Sequence, residues 1–265
     1  MVQIISIIAG LFIIGITLVK NKAKFSIKGI ALTGILLAIA LVISLFSINL
    51  QFFGGQLVIR FSQIILMLIG ATLAPIYALI AGLSFDILNL LMKPLGSFYF
   101  GFTLNNMLVA MIPAFIFSNF RKKTLRFNVS VLLSVSGLYL MYCIIVLLSV
   151  FTGNLGNIDN ALYVFWLPII ILIVMSVGFV SVVYMMRKRK LKMDHHFVML
   201  MISIVLVEFI VQGFLTPLWL HDMMQTPILI SMQLRAMKGV AMIVINSLVG
   251  YPLLKLFHKN KLEDK

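Results

Sequence analysis

The chain has 265 residues, of which 62% are hydrophobic and 11% charged, with a mean hydropathy of +1.16 and a formal net charge of +14. This composition excludes a soluble domain and reads as an integral membrane protein. The positive charge does not point to nucleic acid. Seventeen of the twenty-one Lys and Arg residues fall in four short clusters between apolar stretches, Lys20–Lys28, Arg121–Arg126, Arg187–Lys192 and Lys255–Lys265, where they face anionic inner-leaflet lipid.

A spanning helix needs ~20 apolar residues. Nine segments qualify in chain order: Val2–Val19, Ile27–Ser47, Leu57–Leu73, Ala74–Met92, Phe102–Phe120, Val129–Val150, Tyr163–Met186, Phe197–Thr216 and Ile228–Phe257. Met1 to Val19 lacks a basic start and a small-x-small cleavage site, so it reads as a retained helix. The third and fourth spans are separated only by a tight turn at Pro75, which opens the next helix. With the N-terminus outside and the C-terminus in the cytoplasm, all four basic clusters fall on the inner side, as the positive-inside rule requires. The outer connections Asn49–Gln56 and Lys93–Gly101 combine Gly or Pro with aromatic residues. That composition suits either a lid over a pocket or an interfacial aromatic belt.

Four cations stand outside the basic clusters: Arg60, Lys93, Arg235 and Lys238. Ionisable groups inside spans are costly and are functional candidates by default. Four helices carry one beside a second polar group at helical spacing: Arg60 with Gln63, Asp86 with Asn89, Glu208 with Gln212, and Arg235 with Lys238. Counted from the outer helix ends at the α-helical rise, these groups lie ~5 to ~15 Å deep, with Asn105 and Asn106 at a similar level. The inner halves offer little beyond Ser, Thr, Tyr77 and Asn246. The expectation is a pocket open to the outside, with three cations against two carboxylates, suited to an anionic ligand that also forms hydrogen bonds. The alternative is internal ion pairing, such as Arg235 with Glu208 or Lys238 with Asp86, holding the helices together.

Other signals are weaker. Gly34 and Ala38 form a small-xxx-small face on the second span, which permits close helix contact. His195 and His196 follow a basic run and read as solvated loop residues. His221 and Asp222 read as an outer loop or a pocket rim. The single Cys143 excludes an internal disulfide, and no Cys/His cluster calls for a metal or cofactor.

The stretch from Leu57 to Phe117 resembles the substrate-binding (S) components of energy-coupling factor vitamin transporters, particularly the folate type. The resemblance rests on Val58-Ile-Arg-Phe-Ser62, Gly70-Ala71, Pro75, Ala81-Gly82 with Asp86, and the run Pro94-Leu-Gly-Ser-Phe-Tyr-Phe-Gly-Phe-Thr-Leu104. Gln212-Gly-Phe-Leu-Thr-Pro-Leu-Trp-Leu220 and Leu234-Arg-Ala-Met-Lys-Gly239 look like the last two helices of that family. The resemblance implies an all-α membrane protein with a six-helix core: helices 1–4 in 27–120 and helices 5–6 in 191–265. To these the chain adds an N-terminal helix in 1–26 and an inserted two-helix hairpin in 121–190. It further implies capture of an anionic, folate-like vitamin from outside and delivery with a transmembrane coupling (T) component and two ATPases. Gly34 and Ala38 fall where the family carries its docking motif.

On this reading Arg60, Arg235 and Lys238 would hold a glutamate tail. Asp86 or Glu208 would accept from the pterin, with stacking from Phe98, Tyr99 or Phe102. The chain has no Gly-rich phosphate loop ending in Lys-Ser/Thr, so ATP hydrolysis would belong to a partner. Two other classes compete: a structural membrane protein of the cell-shape machinery without a ligand, and a membrane enzyme. For the enzyme there is no Asp-rich metal motif, no Glu-Glu pair and no Gly-x-Ser with an intramembrane His.

Overall fold

The computed structural model describes residues 2–20, 25–52, 55–92, 98–151 and 194–263. Among them, seven helices are long and apolar enough to cross a membrane, and Ser62–Thr72 is a shorter apolar helix. The chain is therefore a multi-pass, all-α membrane protein. In order, its elements are α1 (Val2–Lys20), α2 (Ile27–Leu45), β1 (Ile48–Phe52), β2 (Gly55–Ile59), α3 (Ser62–Thr72), α4 (Pro75–Met92), α5 (Phe100–Phe120) and α6 (Leu125–Phe151). A second run comprises α7 (His195–Leu206), a π-helical segment (Val207–Leu215), α8 (Thr216–Met224) and α9 (Ile228–Glu263). The expected span Tyr163–Met186, the basic run Arg187–Lys192 and Lys93 lie outside the described residues.

Two expectations need correction. The span expected over Leu57–Leu73 is divided, with Leu57–Ile59 in a strand and the helix beginning only at Ser62. Eleven helical residues reach ~16 Å, well short of the hydrocarbon core. Such a segment is tolerated at membrane depth only when protein surrounds it, and Ser62 through Ala71 are all buried. The outer connection Asn49–Gln56, expected as a loop, is strand-paired with its flanks as an antiparallel hairpin, from Ile48↔Ile59 to Phe52↔Gly55. Pairing satisfies backbone groups that an open loop would leave bare. The eighth span also runs further than Thr216, through Pro217 to Met224. It stops where Gln225 adopts the left-handed conformation (φ 55°) and its N–H donates to the His221 carbonyl at 2.9 Å.

The centre of the bundle is α5, on which α3, α4 and α7 pack, while α1 and α6 lie at the periphery with largely exposed apolar faces. Two glycines make the central contacts possible. A Cβ on Gly70 of α3 would collide with the Ala110 carbonyl oxygen of α5, and one on Gly82 of α4 would sit 2.6 Å from the Met107 Cα. The end of the bundle expected to face the cytoplasm is tied by polar contacts. Ser26 caps α2 by accepting from the Gly29 N–H, and the Tyr77 hydroxyl of α4 accepts from the Ser26 N–H at 2.7 Å. His195, read above as a solvated loop residue, is half-buried. Its Nε2 lies 2.8 Å from Asn128 Nδ2 and 3.0 Å from the Lys123 carbonyl, joining α7 to the start of α6.

Gly70→Val should destabilise the purified protein by about 1–3 kcal/mol through overpacking, and so lower its melting temperature. Gly34→Ala, at an exposed position with open space around it, should leave that temperature unchanged or slightly raised. Thermal unfolding in detergent measures both.

Candidate functional site

A cavity of about 130 Å³ opens at the bundle end opposite the Ser26–Tyr77 contact, bounded by β2, the start of α3, the end of α4, the start of α5, the π segment, α8 and α9. Of the twelve ligand-contact candidates, ten line it: Arg60, Gln63, Asp86, Asn89, Phe98, Tyr99, Phe102, Asn105, Gln212 and Arg235. Glu208 and Lys238 lie behind its wall.

The cations are organised by Gln212. Its side-chain oxygen accepts from Arg235 Nη1 at 3.2 Å and from Lys238 Nζ at 3.0 Å. Lys238 also donates to the Val58 carbonyl at 3.2 Å, which ties α9 to the hairpin, and Arg235 Nε reaches Ser231 Oγ at 3.4 Å. All three side chains, Gln212, Arg235 and Lys238, are buried. Arg60, on the short link between β2 and α3, is near enough to Arg235 and Lys238 for mutual repulsion.

Neither ion pair weighed above forms. Asp86 accepts instead from Thr103 Oγ1 at 2.6 Å and Asn106 Nδ2 at 2.7 Å. Both carboxylate oxygens of Glu208 are buried without a hydrogen-bond partner among the described residues. Oε2 lies near the bare Cα of Gly239, where an added Cβ would be 3.6 Å from it. Glu208 therefore offsets part of the positive charge through space, from behind the wall. Gln63 lines the cavity, but its side-chain oxygen is likewise buried and unpartnered among the described residues.

The opposite wall is neutral and aromatic. Asn105 bridges two elements, donating to Thr216 Oγ1 at 3.0 Å and accepting from the Trp219 indole N–H at 3.0 Å. Gly101 leaves the space that Trp219 and Tyr99 fill, since a Cβ there would lie 2.5 Å from the Tyr99 ring and 2.7 Å from the indole. Tyr99 donates to Asp222 Oδ2 at 2.9 Å, placing Asp222 at the cavity's rim region rather than in open solvent. Burial, reinforced by that carboxylate, pushes the Tyr99 phenol up to about 12, so it remains a donor at neutral pH. Asn89, near the end of α4, accepts from Ser44 Oγ of α2 at 2.8 Å.

Sequence reasoning missed Thr216 and the apolar residues Val58, Leu90, Leu220, Met223 and Met224 in the lining, and Thr103 and Trp219 as partners of lining residues. Thr103 and Thr216 lie in the runs that carry the resemblance, but a small hydroxyl in an apolar helix does not by itself mark a site. Trp219 sits three residues after Thr216 and two after Pro217, and only continuation of the helix past that proline brings it to Asn105.

On α2, Gly34 and Ala38 both lie on the exposed face, and nothing stands within 4 Å of a Cβ built on Gly34. This face is free of the bundle.

The fold is similar to that of FolT in its crystal structure with folic acid bound. The TM-score is 0.51 at 20% sequence identity, and the match covers 88% of this chain and 98% of FolT. No protein family model and no curated protein matches the chain. The all-α membrane bundle is thus a fold shared with FolT.

Proposed function

We propose that this chain is the membrane-embedded substrate-binding subunit of a vitamin importer, taking an anionic, folate-like vitamin from the outer side. The observation that carries the reading is the charge at the cavity. Arg60 and Arg235 line it and Lys238 stands directly behind Gln212, and no carboxylate forms an ion pair with any of them among the described residues. Buried cations without paired anions are expensive, and an entering carboxylate relieves that cost while gaining a bidentate partner in Arg235. Asp86 and Asn89 offer acceptors for an amino-heterocycle across the cavity, and Phe98, Tyr99 and Phe102 offer stacking faces. The likeness to FolT, whose structure holds folic acid, supports the same ligand class.

In this role the N-terminus lies outside and the C-terminus in the cytoplasm. The chain hands its ligand inward with a transmembrane coupling component and two ATPases. The exposed Gly34–Ala38 face of α2 is the docking surface, and α1 and the 121–190 insertion are additions to the six-helix core.

Folic acid should raise the melting temperature of the purified protein and bind it in isothermal titration. Arg235→Ala should weaken that binding by well over tenfold, at least ~1.4 kcal/mol. No thermal shift with folic acid, or an unchanged affinity in Arg235→Ala, would overturn the reading. Asp86→Asn, which keeps the shape but removes the charge, should cost less, because the remaining oxygen can still accept from Asn106 while the new amide NH2 donates to the Thr103 hydroxyl. The same titration gives the comparison.

A further inference from the structure

The helix α6 contributes nothing to the cavity lining, yet it touches both elements that carry the cation cluster. Its Tyr142 hydroxyl donates to the Gly213 carbonyl at 3.0 Å. Gly213 is four residues before Pro217, so in an α-helix its carbonyl would await an N–H that proline lacks. Tyr142 supplies that donor from a neighbouring helix, at the residue next to Gln212. One turn earlier on α6, the Tyr139 hydroxyl donates to the Ala236 carbonyl at 3.3 Å, on the stretch of α9 between Arg235 and Lys238. This approach requires Gly239, since a Cβ there would collide with the Tyr139 hydroxyl.

Aromatic packing makes the arrangement stiff. Tyr142 lies 4.9 Å from the Phe214 ring and 5.6 Å from Phe209, both in the π segment, and Tyr139 meets Phe209 edge-on at 6.2 Å. Both tyrosines are almost fully buried, at 4% and 6% exposure, so neither hydroxyl has water as an alternative partner.

From this we infer that Tyr139 and Tyr142 are positioning residues. They fix the backbone on either side of the Gln212–Arg235–Lys238 contact and thereby set the affinity for the negatively charged part of the ligand. The role rests on the anionic-ligand reading above and assigns a task to α6, which that reading leaves as a peripheral addition. The side-chain oxygen of Gln212 must meet two donors at once, and a shift of its backbone by a fraction of an ångström loosens both.

Tyr142→Phe keeps the ring and removes only the donor. It should weaken folic acid binding about five- to tenfold. The loss should disappear in a Gln212→Ala background, because a residue acting through Gln212 has nothing left to position. Folic acid with both carboxyl groups esterified should bind Tyr142→Phe and the unaltered protein alike. Tyr139→Phe is the milder companion and should give a smaller loss of the same kind.

An unchanged folic acid affinity in Tyr142→Phe, or an equal loss in the Gln212→Ala background, overturns the inference. Hydrogen exchange of the ligand-free protein gives a readout independent of folate. Amides of Val207–Leu215 should exchange faster in Tyr142→Phe while those of α3 do not, and unchanged exchange in the π segment would also overturn it. If the unaltered protein bound no folic acid while the exchange effect held, the ligand reading alone would fall.

Discussion

A single side-chain oxygen, that of Gln212, accepts from a guanidinium and an ammonium in the interior of a membrane protein. Two buried cations one helical turn apart repel one another, and a neutral acceptor between them relieves this only in part. The surrounding structure serves to keep that oxygen in place. Val58 of the hairpin takes a second donation from Lys238, Ser231 takes one from Arg235, and Glu208 contributes negative charge without touching either. The resulting cluster is electrically unfinished on the cavity side, where Arg60 and Arg235 lie in the lining.

The irregular backbone gathers at the same end. Strand pairing at Ile48–Ile59, a helix of only eleven residues, and a nine-residue π segment all border the cavity. Each departs from the straight spanning helix that a bilayer favours, and each has its backbone groups met from within the protein. The hairpin pairs with itself, α3 is buried along its length, and the Gly213 carbonyl is met by Tyr142. π segments recur at functional sites because the extra residue per turn re-aims side chains. Here Glu208 and Gln212, four apart, end up on different tasks, one behind the wall and the other in it.

The far end is built differently. Capping and side-chain hydrogen bonds close the bundle there around Ser26, Tyr77 and His195, while glycines at 70 and 82 bring α3 and α4 closely against α5 in its centre. Regular packing at one end carries the irregular, charged end at the other.

Composition and spacing were enough to establish a multi-pass helical membrane protein and to single out the intramembrane cations and carboxylates. Hydrophobic length and the scarcity of charge in a bilayer leave few alternatives. The pairs Asp86/Asn89 and Arg235/Lys238 were visible because helical periodicity puts such residues on one face, whereas Arg60, expected on the helix of Gln63, precedes α3 and reaches the cavity from a link. Which partners they take was not visible, since Asp86 could reach a lysine or a threonine with equal sequence support, and only the packing of α4 on α5 gives it Thr103 and Asn106. The hairpin was hidden because Leu57–Leu73 is apolar enough for a helix throughout. The link from α6 to the cation cluster depends on contacts seventy or more residues apart, which no local pattern encodes. Local sequence thus determined where charge enters the membrane, and tertiary packing decided which neighbours answer it, because hydrogen-bond partners are selected by proximity in space.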